Sequence, residues 1–398
     1  MAEAAAAGST TLLPALPDEI VIWEILVRLP PTSLLRCRAV CRIWRRATSA
    51  HDFLVAHHTR QPTLPLLHGC NCVDDVIESL DIIPFDNTAG VDAADQLQSI
   101  SRLCGIDTFV IEKSCDGLLI LSLSWGRFSI CNPATRQYAP LQQIHGLAVL
   151  GFYLHGPTGE YRLLLYRSPR MMHDGLAPDS DTDGGVYVFT LGSSQPQRHI
   201  GFPEARQMKY NPRSMSILFS GRLHWYIGDM IMVFDTIAES FRQMRSPIVS
   251  DYAHLFEMGD MLGLYKHNDK DTSIEIWVMQ NYEGEVWKLK CMVELPVEEI
   301  KAQFGMFDYY WKEVAMSWDG DVFVLVNFDD CLLQVDMDGH LVDSFHHKGL
   351  GPTRLRLKQT LVSHAFFPTL EGYVVNELPF ISSDNKVVNT DSLTSEGC

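Results

Sequence analysis

The sequence predicts a small all-α segment followed by a large all-β domain, propeller-like, with about six or seven blades. Three observations predict it. Apolar residues recur at helical spacing only between Leu16 and His58. After Thr59 the chain becomes short apolar runs broken by Gly, Asp, Asn and Pro. Within that region a strand–turn–strand unit recurs, at a spacing of roughly 40 to 50 residues.

Residues 1–13 are Ala-rich, with Glu3 and without the basic end and long apolar run of a signal peptide, and are expected to be a disordered tail. A helical domain is expected over 14–58. Pro17-Asp18 is a helix start: proline is tolerated in a first turn and aspartate accepts free N–H groups. Ile22, Ile25, Leu26 and Leu29 follow at helical spacing and are expected to share one face. Pro30-Pro31 ends that helix, because proline lacks an N–H and disfavours helix in the residue before it. Thr32 or Ser33 is expected to cap a second helix carrying Leu34, Leu35 and Val40, and a third holds Ile43 and Trp44. So small a unit cannot cover its own large apolar side chains well. Periodicity leaves two readings open: a helical cap on the same chain, or a docking module for another protein.

The all-β domain is expected over 59–381. Gly117–Leu123, Phe128–Cys131, Tyr161–Tyr166, Val186–Leu191, Leu223–Ile227, Ile231–Phe234, Ile274–Met279, Val322–Val326 and Leu332–Val335 have strand length and β-branched or aromatic content. Asp116-Gly117, Asp319-Gly320 and Asp338-Gly339 are tight-turn signals between strands. The repeat is visible in three places. Ser114–Gly117 leads to Phe128–Asn132 and Arg136, Ser220–Trp225 to Met232–Asp235 and Glu239, and Ser317–Gly320 to Leu333–Asp336 and His340. Each closes on an Asn or Asp turn, which suggests the blades of a propeller; a large β-sandwich or an irregular all-β domain is the alternative. His173–Gly185 is expected to be a surface loop, and residues 382–398 a disordered tail.

Composition narrows the function. The chain has 398 residues, 46% of them hydrophobic, and a formal net charge of -17. That acidity argues against nucleic-acid binding, which needs clustered cations. Arg36, Arg38, Arg42, Arg45 and Arg46 nevertheless crowd one stretch, which points to an acidic partner. The 10 cysteines form no Cys-x-x-Cys pair and read as reduced thiols of a cytoplasmic or nuclear protein. No run approaches the roughly 18 to 20 apolar residues of a membrane helix, so no membrane partner is expected.

At the helical segment these residues meet a known pattern. Leu16-Pro17-Asp18-Glu19-Ile20, then Glu24–Pro30, then Ser33–Arg45 with Leu34-Leu35-Arg36 and Val40-Cys41-Arg42-Ile43-Trp44, closely resembles the F-box. The remainder resembles the F-box-associated domain of plant proteins, especially the grass type. The pieces that carry it are Ser114–Leu119, Cys131–Arg136, Leu223-His224-Trp225, Phe234–Thr236 with Ser240–Arg242, and Ile276–Met279. One departure stands out: the stretch between Leu16-Pro17 and Ile25-Leu26 is one residue longer than the commonest F-box spacing. One residue turns a helix by about 100 degrees, which puts the register of Ile20 to Trp23 in question.

The resemblance implies a non-catalytic subunit of a ubiquitin ligase. Its F-box would dock on a Skp-type adaptor and through it on a cullin, and its β domain would present a protein substrate. The adaptor contacts it implies are Leu16, Pro17, Ile20, Ile25, Leu34, Leu35, Val40, Cys41 and Trp44, each of which could instead pack within the F-box. The arginine cluster would steer the encounter. Alternatives are an adaptor-binding protein that supports no ubiquitination, and a propeller that binds a small molecule or sugar.

Chemistry beyond docking is weakly signalled, and no cofactor or metal is expected. Asp179–Gly184 copies half of a calcium loop, but the position of the bidentate acid is Thr190. His57-His58 and His346-His347 are neighbours that point apart. A Cys–His nucleophilic pair stays open, since such partners meet only in the fold. Trp225, Trp277, Trp287, Trp311 and Trp318 are expected to fill the core rather than line a surface. The loop candidates for recognition are His173–Gly185 and Asp251–Asp271.

Overall fold

The computed structural model describes residues 16–71, 77–83, 97–104, 109–123, 127–141, 144, 146–167, 185–201, 215–250, 252–267, 273–305, 312–318, 321–328, 331–346, 349–367 and 380–382. The chain divides into two compact units, Met1–Gln61 and Pro62–Cys398. The stretches expected to be disordered at both ends lie outside the described residues, apart from Ser382. So do the Asp-rich stretch before Gly185 and Trp311.

In the first unit, helix α1 (Asp18–Ile20) starts directly after Pro17, as the sequence predicts. It runs into a π-helical turn, Val21–Ile25, and a 3-10 turn, Leu26–Arg28. The Leu26 N–H reaches the carbonyls of both Ile22 and Val21. A π turn holds one residue more than an α turn, so it takes up the additional residue locally. The apolar face changes as a result. Ile22, Leu26 and Val27 are buried, while Ile25 turns outward.

Leu29 is extended before Pro30, and α2 (Pro31–Cys37) begins on Pro31 itself. Neither Thr32 nor Ser33 is the cap. Proline fits the first helical position because its missing N–H would have no partner there. Helix α3 (Arg42–Thr48) carries Ile43 and Trp44. A further helix, α4 (His51–Arg60), follows an extended Ala50, so the unit holds one helix more than the expected three. Leu34, Leu35, Phe53 and Leu54 are buried in the unit. The buried His57 donates from Nε2 to the carbonyl of Leu29 (2.8 Å), which also accepts from Gln61 Nε2 (3.1 Å). That satisfies a carbonyl at the end of the first helical stretch.

The second unit is a six-bladed propeller. The blades are β4–β7 (Phe109–Cys115, Leu118–Leu123, Arg127–Asn132, Gln137–Pro140), β8–β11 (Ala148–His155, Glu160–Arg167, Gly185–Thr190, Arg198–Gly201) and β12–β15 (Ile217–Phe219, Arg222–Ile227, Met230–Asp235, Ser240–Arg245). Next come β16–β19 (Ala253–Met258, Met261–His267, Ser273–Asn281, Val286–Glu294) and β20–β23 (Lys312–Trp318, Asp321–Phe328, Cys331–Val335, Leu341–His346). The sixth sheet joins distant parts of the chain in the order β24-β1-β2-β3-β25: Leu350–Lys358, Thr63–Asn71, Ile77–Ile82, Gln98–Cys104 and Phe380–Ser382. The first strands of successive blades meet around an axis, and β24 touches both β20 and β4, which closes the ring. Helix α5 (Val297–Phe304) follows β19 and packs Ile300 into the interface of the fourth and fifth blades.

Burial explains why the second and third strands read as continuous apolar runs. One hydrophobic cluster fills each of the six blade–blade interfaces. In β13, Leu223 and Trp225 face the second blade and Tyr226 faces the fourth. Both faces of the sheet are covered, so period-two alternation disappears from the sequence. Trp225 is core, as expected, and its Nε1 donates to the carbonyl of Leu150 (3.0 Å). Trp277 and Trp287 pack partly buried at the interface of the third and fourth blades.

The repeating turns have a common chemistry. Between third and fourth strands, Asn132, Asp235 and Asn281 accept backbone N–H bonds through Oδ1, from Ala134 (3.1 Å), Ala238 (2.9 Å) and Gly284 (2.8 Å) respectively. The residue four positions on, Arg136, Glu239 or Glu285, has a left-handed backbone. This is the Asn or Asp turn visible in the repeat, held by side-chain mimicry of a backbone turn. The described residues of Asp251–Asp271, by contrast, are no loop: they form the β16–β17 hairpin.

Candidate functional site

Two places concentrate features that folding alone does not use. The first is the surface of the helical unit. Leu16 and Val40 are 59% and 66% exposed, and Ile20, Trp23, Ile25, Ile43 and Val55 are also uncovered. Exposed large apolar side chains at this density mark a contact surface.

The sequence-predicted contacts separate in the structure. Leu16, Pro17, Ile20, Ile25 and Val40 are exposed, and Trp44 is half-buried. Leu34 and Leu35 are not presented: they are buried among the helices and hold the unit together. Cys41 caps α3, its Sγ accepting from the Trp44 N–H (3.4 Å). Arg38 leaves the exposed arginine cluster, donating from Nη2 to the Thr48 carbonyl (2.7 Å) and from Nε to Thr48 Oγ1 (3.2 Å). Arg36, Arg42, Arg45 and Arg46 remain exposed. Trp23 and Ile43 are missing from the predicted set. Trp23 needs the register of the π turn to be read, whereas Ile43 is simply the large apolar residue on the uncovered side of α3.

The second place is a cavity of roughly 240 Å³ at the propeller axis. Its wall comes mainly from the innermost strands β4, β12, β16, β20 and β24. Two polar contacts join the sixth blade to the fourth beside it. Arg356 Nη1 pairs with Glu257 (3.4 Å) while its Nη2 donates to the carbonyl of Thr63 (2.9 Å). Arg354 Nη2 lies 2.8 Å from Nε2 of His254. Burial, helped by the charges of Arg354 and His267, holds the His254 pKa down to about 3, so the ring is neutral at physiological pH.

Nucleophilic and metal chemistry find little support among the described residues. Burial pushes the Cys115 thiol well above its ordinary range and the Cys131 thiol up to about 12, so neither is a thiolate near pH 7. Asp336, Asp338 and His340 bring possible ligand atoms within 4.8 Å of one another. Asp336 Oδ1 already accepts from the N–H groups of Asp338 (2.9 Å) and His340 (2.8 Å), which gives this exposed cluster the role of a turn.

Comparison with known proteins agrees with this division of the chain. Residues 88–366 match the family described as F-box associated beta propeller domain, and residues 13–60 match the F-box-like family. F-box protein At5g49610 of Arabidopsis thaliana is 25% identical over 297 residues, covering 70% of this chain and 79% of the relative. F-box protein At3g07870 of the same plant is 26% identical over 310 residues, covering 68% and 70%. A helical F-box followed by a six-bladed propeller, with both family matches in that order, places this chain in the F-box-associated β-propeller family, as a plant F-box protein of substrate-receptor type.

Proposed function

We propose that the chain is the substrate-recognition subunit of a Skp–cullin–F-box ubiquitin ligase, working in the cytoplasm or nucleus. The observation that carries this reading is the uncovered apolar surface of the helical unit on a chain whose other unit is a complete propeller. The helices dock on a Skp-type adaptor, which sits on a cullin, and the propeller holds a protein substrate. Leu16, Pro17, Ile20, Ile25 and Val40 supply the exposed apolar contacts, with Trp44 at their margin. The exposed arginines speed the encounter with an acidic adaptor more than they tighten the complex. No group of this chain takes part in the transfer. The gain comes from the raised effective concentration of substrate lysines near the charged conjugating enzyme.

The test is co-purification with a plant Skp-type adaptor. Ile20→Asp with Val40→Asp changes two exposed positions, so folding is retained while binding weakens at least about 100-fold. Circular dichroism of the variant confirms the fold. If the doubly substituted chain binds adaptor as tightly as the parent, this surface is not the docking face.

A further inference from the structure

We infer that the axial cavity of the propeller is a binding site for a compact oxyanion, a phosphate or carboxylate group. This goes beyond adaptor docking and stands whether or not the chain serves a ligase.

The argument begins with one strand. Arg354, Arg356 and Lys358 alternate along β24, and Leu355 and Leu357 between them are buried in the interface of the sixth and first blades. Period two turns the three cations to one face of the strand, and all three line the cavity, together with Leu355. The carboxylates of the wall are Asp116 and Glu257. Among the described lining residues, three cations stand against two carboxylates, in a chain of net charge -17. Such a local reversal of sign focuses anions towards the axis.

The cavity is also polar where its walls are buried. Ser317, 2% exposed, lines it, and its Oγ has no hydrogen-bond partner among the described residues. Arg356 Nε is likewise buried without one. Buried polar atoms are satisfied in nearly all native structures, and here two without partners belong to residues that line one cavity. Burial pushes the Arg356 guanidinium down even though Glu257 sits beside it. It likewise pushes the Glu257 carboxyl up against the pull of Arg356. Desolvation outweighs the pair's own attraction on both sides, so a second anion would stabilise the guanidinium further.

Size selects the class. Pockets for drug-sized ligands occupy roughly 300 to 1,000 Å³, and this one is smaller. It takes a single charged head group, either of a free small molecule or projecting from a larger one. Arginine forks suit the planar or tetrahedral oxygens of carboxylate and phosphate.

The test uses the full chain and three probes: inorganic phosphate, citrate and, at matched ionic strength, chloride. Calorimetric titration is expected to give saturable binding of phosphate or citrate with a dissociation constant below about 1 mM, and none of chloride. Which oxyanion binds separates a phosphate site from a carboxylate site. Lys358→Gln should weaken binding about tenfold and Ser317→Ala several-fold, while Lys288→Gln, an exposed cation on β19, changes nothing. Near-ultraviolet circular dichroism checks each fold. Absence of saturable binding to the parent chain overturns the inference, as does binding that both cavity substitutions leave untouched.

Discussion

Gly117 and Gly221 occupy the same place in their blades, the second residue of the hairpin between first and second strands. Both have a left-handed backbone, with φ +85° and +70°. Their surroundings differ. A Cβ at Gly117 would meet the Lys358 carbonyl oxygen at 2.4 Å, whereas at Gly221 it would meet nothing within 4 Å. Ala at Gly221 therefore carries only the cost of the conformation, about 1 kcal/mol. Ala at Gly117 must also displace the backbone that closes the ring, which raises the loss to about 3 kcal/mol or more. Urea denaturation of the two variants should show that order, and equal midpoints would refute it. The Asp116-Gly117 turn was legible as a turn. The approach of a carbonyl from the far end of the chain was not, because nothing local encodes it. The same division runs through the F-box: Leu34 and Val40 read alike as apolar anchors, and packing alone makes one core and the other surface.

At the scale of the element, the first helical stretch shows how a fold tolerates length. The additional residue could have rotated everything after it by about 100 degrees. The π turn at Val21–Ile25 confines the change instead, so Leu26 and Val27 still enter the core. Only residues within the turn are re-aimed, which is why Trp23 and Ile25 face outward. Deleting Glu24, whose ion pair with Arg28 is exposed and worth little, should let the turn relax to α-helix. Amide hydrogen exchange over residues 26–60 is then expected to stay protected. Deleting Leu34 from α2, which has no bulge to absorb the change, should abolish that protection. Equal exchange in the two deletions would mean the π turn does not act as the buffer. The inner and outer strands of the blades teach a related lesson. Most second and third strands are buried on both faces and announce themselves. The inner strand β24 places cations along the axis, and the outer strand β19 is largely exposed, so neither forms an apolar run.

For the whole molecule, the decisive feature is closure. β24 pairs with β1 across almost the full length of the propeller, Leu64 opposite Leu357 and Leu67 opposite Pro352. Thr353 Oγ1 donates to the Leu66 carbonyl, tying the same two strands. The last blade thus takes its inner strand from the C-terminal part of the chain and the next three from the start of the domain. A chain ending at His346 loses β24, exposes Leu64 and Leu66 and opens the ring between the fifth and first blades. It should lose its single cooperative thermal transition. A chain ending at Ser382 keeps every strand of that sheet and should melt within a few degrees of the parent. If the shorter chain melts cooperatively, closure by β24 is not what stabilises the ring.

The sequence by itself determined the order of an F-box before an all-β domain, the central strands of the first, second, third and fifth blades and several of the turns that join them. Those features depend on neighbours a few residues apart: helical or strand periodicity, a proline that cannot continue a helix, an Asn or Asp side chain that reaches its own backbone. Only the tertiary structure decided the number of blades, the strand that closes the ring, the inward turn of Leu34 and Leu35, and the assembly of Arg354, Arg356, Lys358, Glu257 and Ser317 around one axis. Those outcomes depend on contacts between residues far apart in the chain, where apolar burial and charge pairing act on whichever side chains the topology brings together.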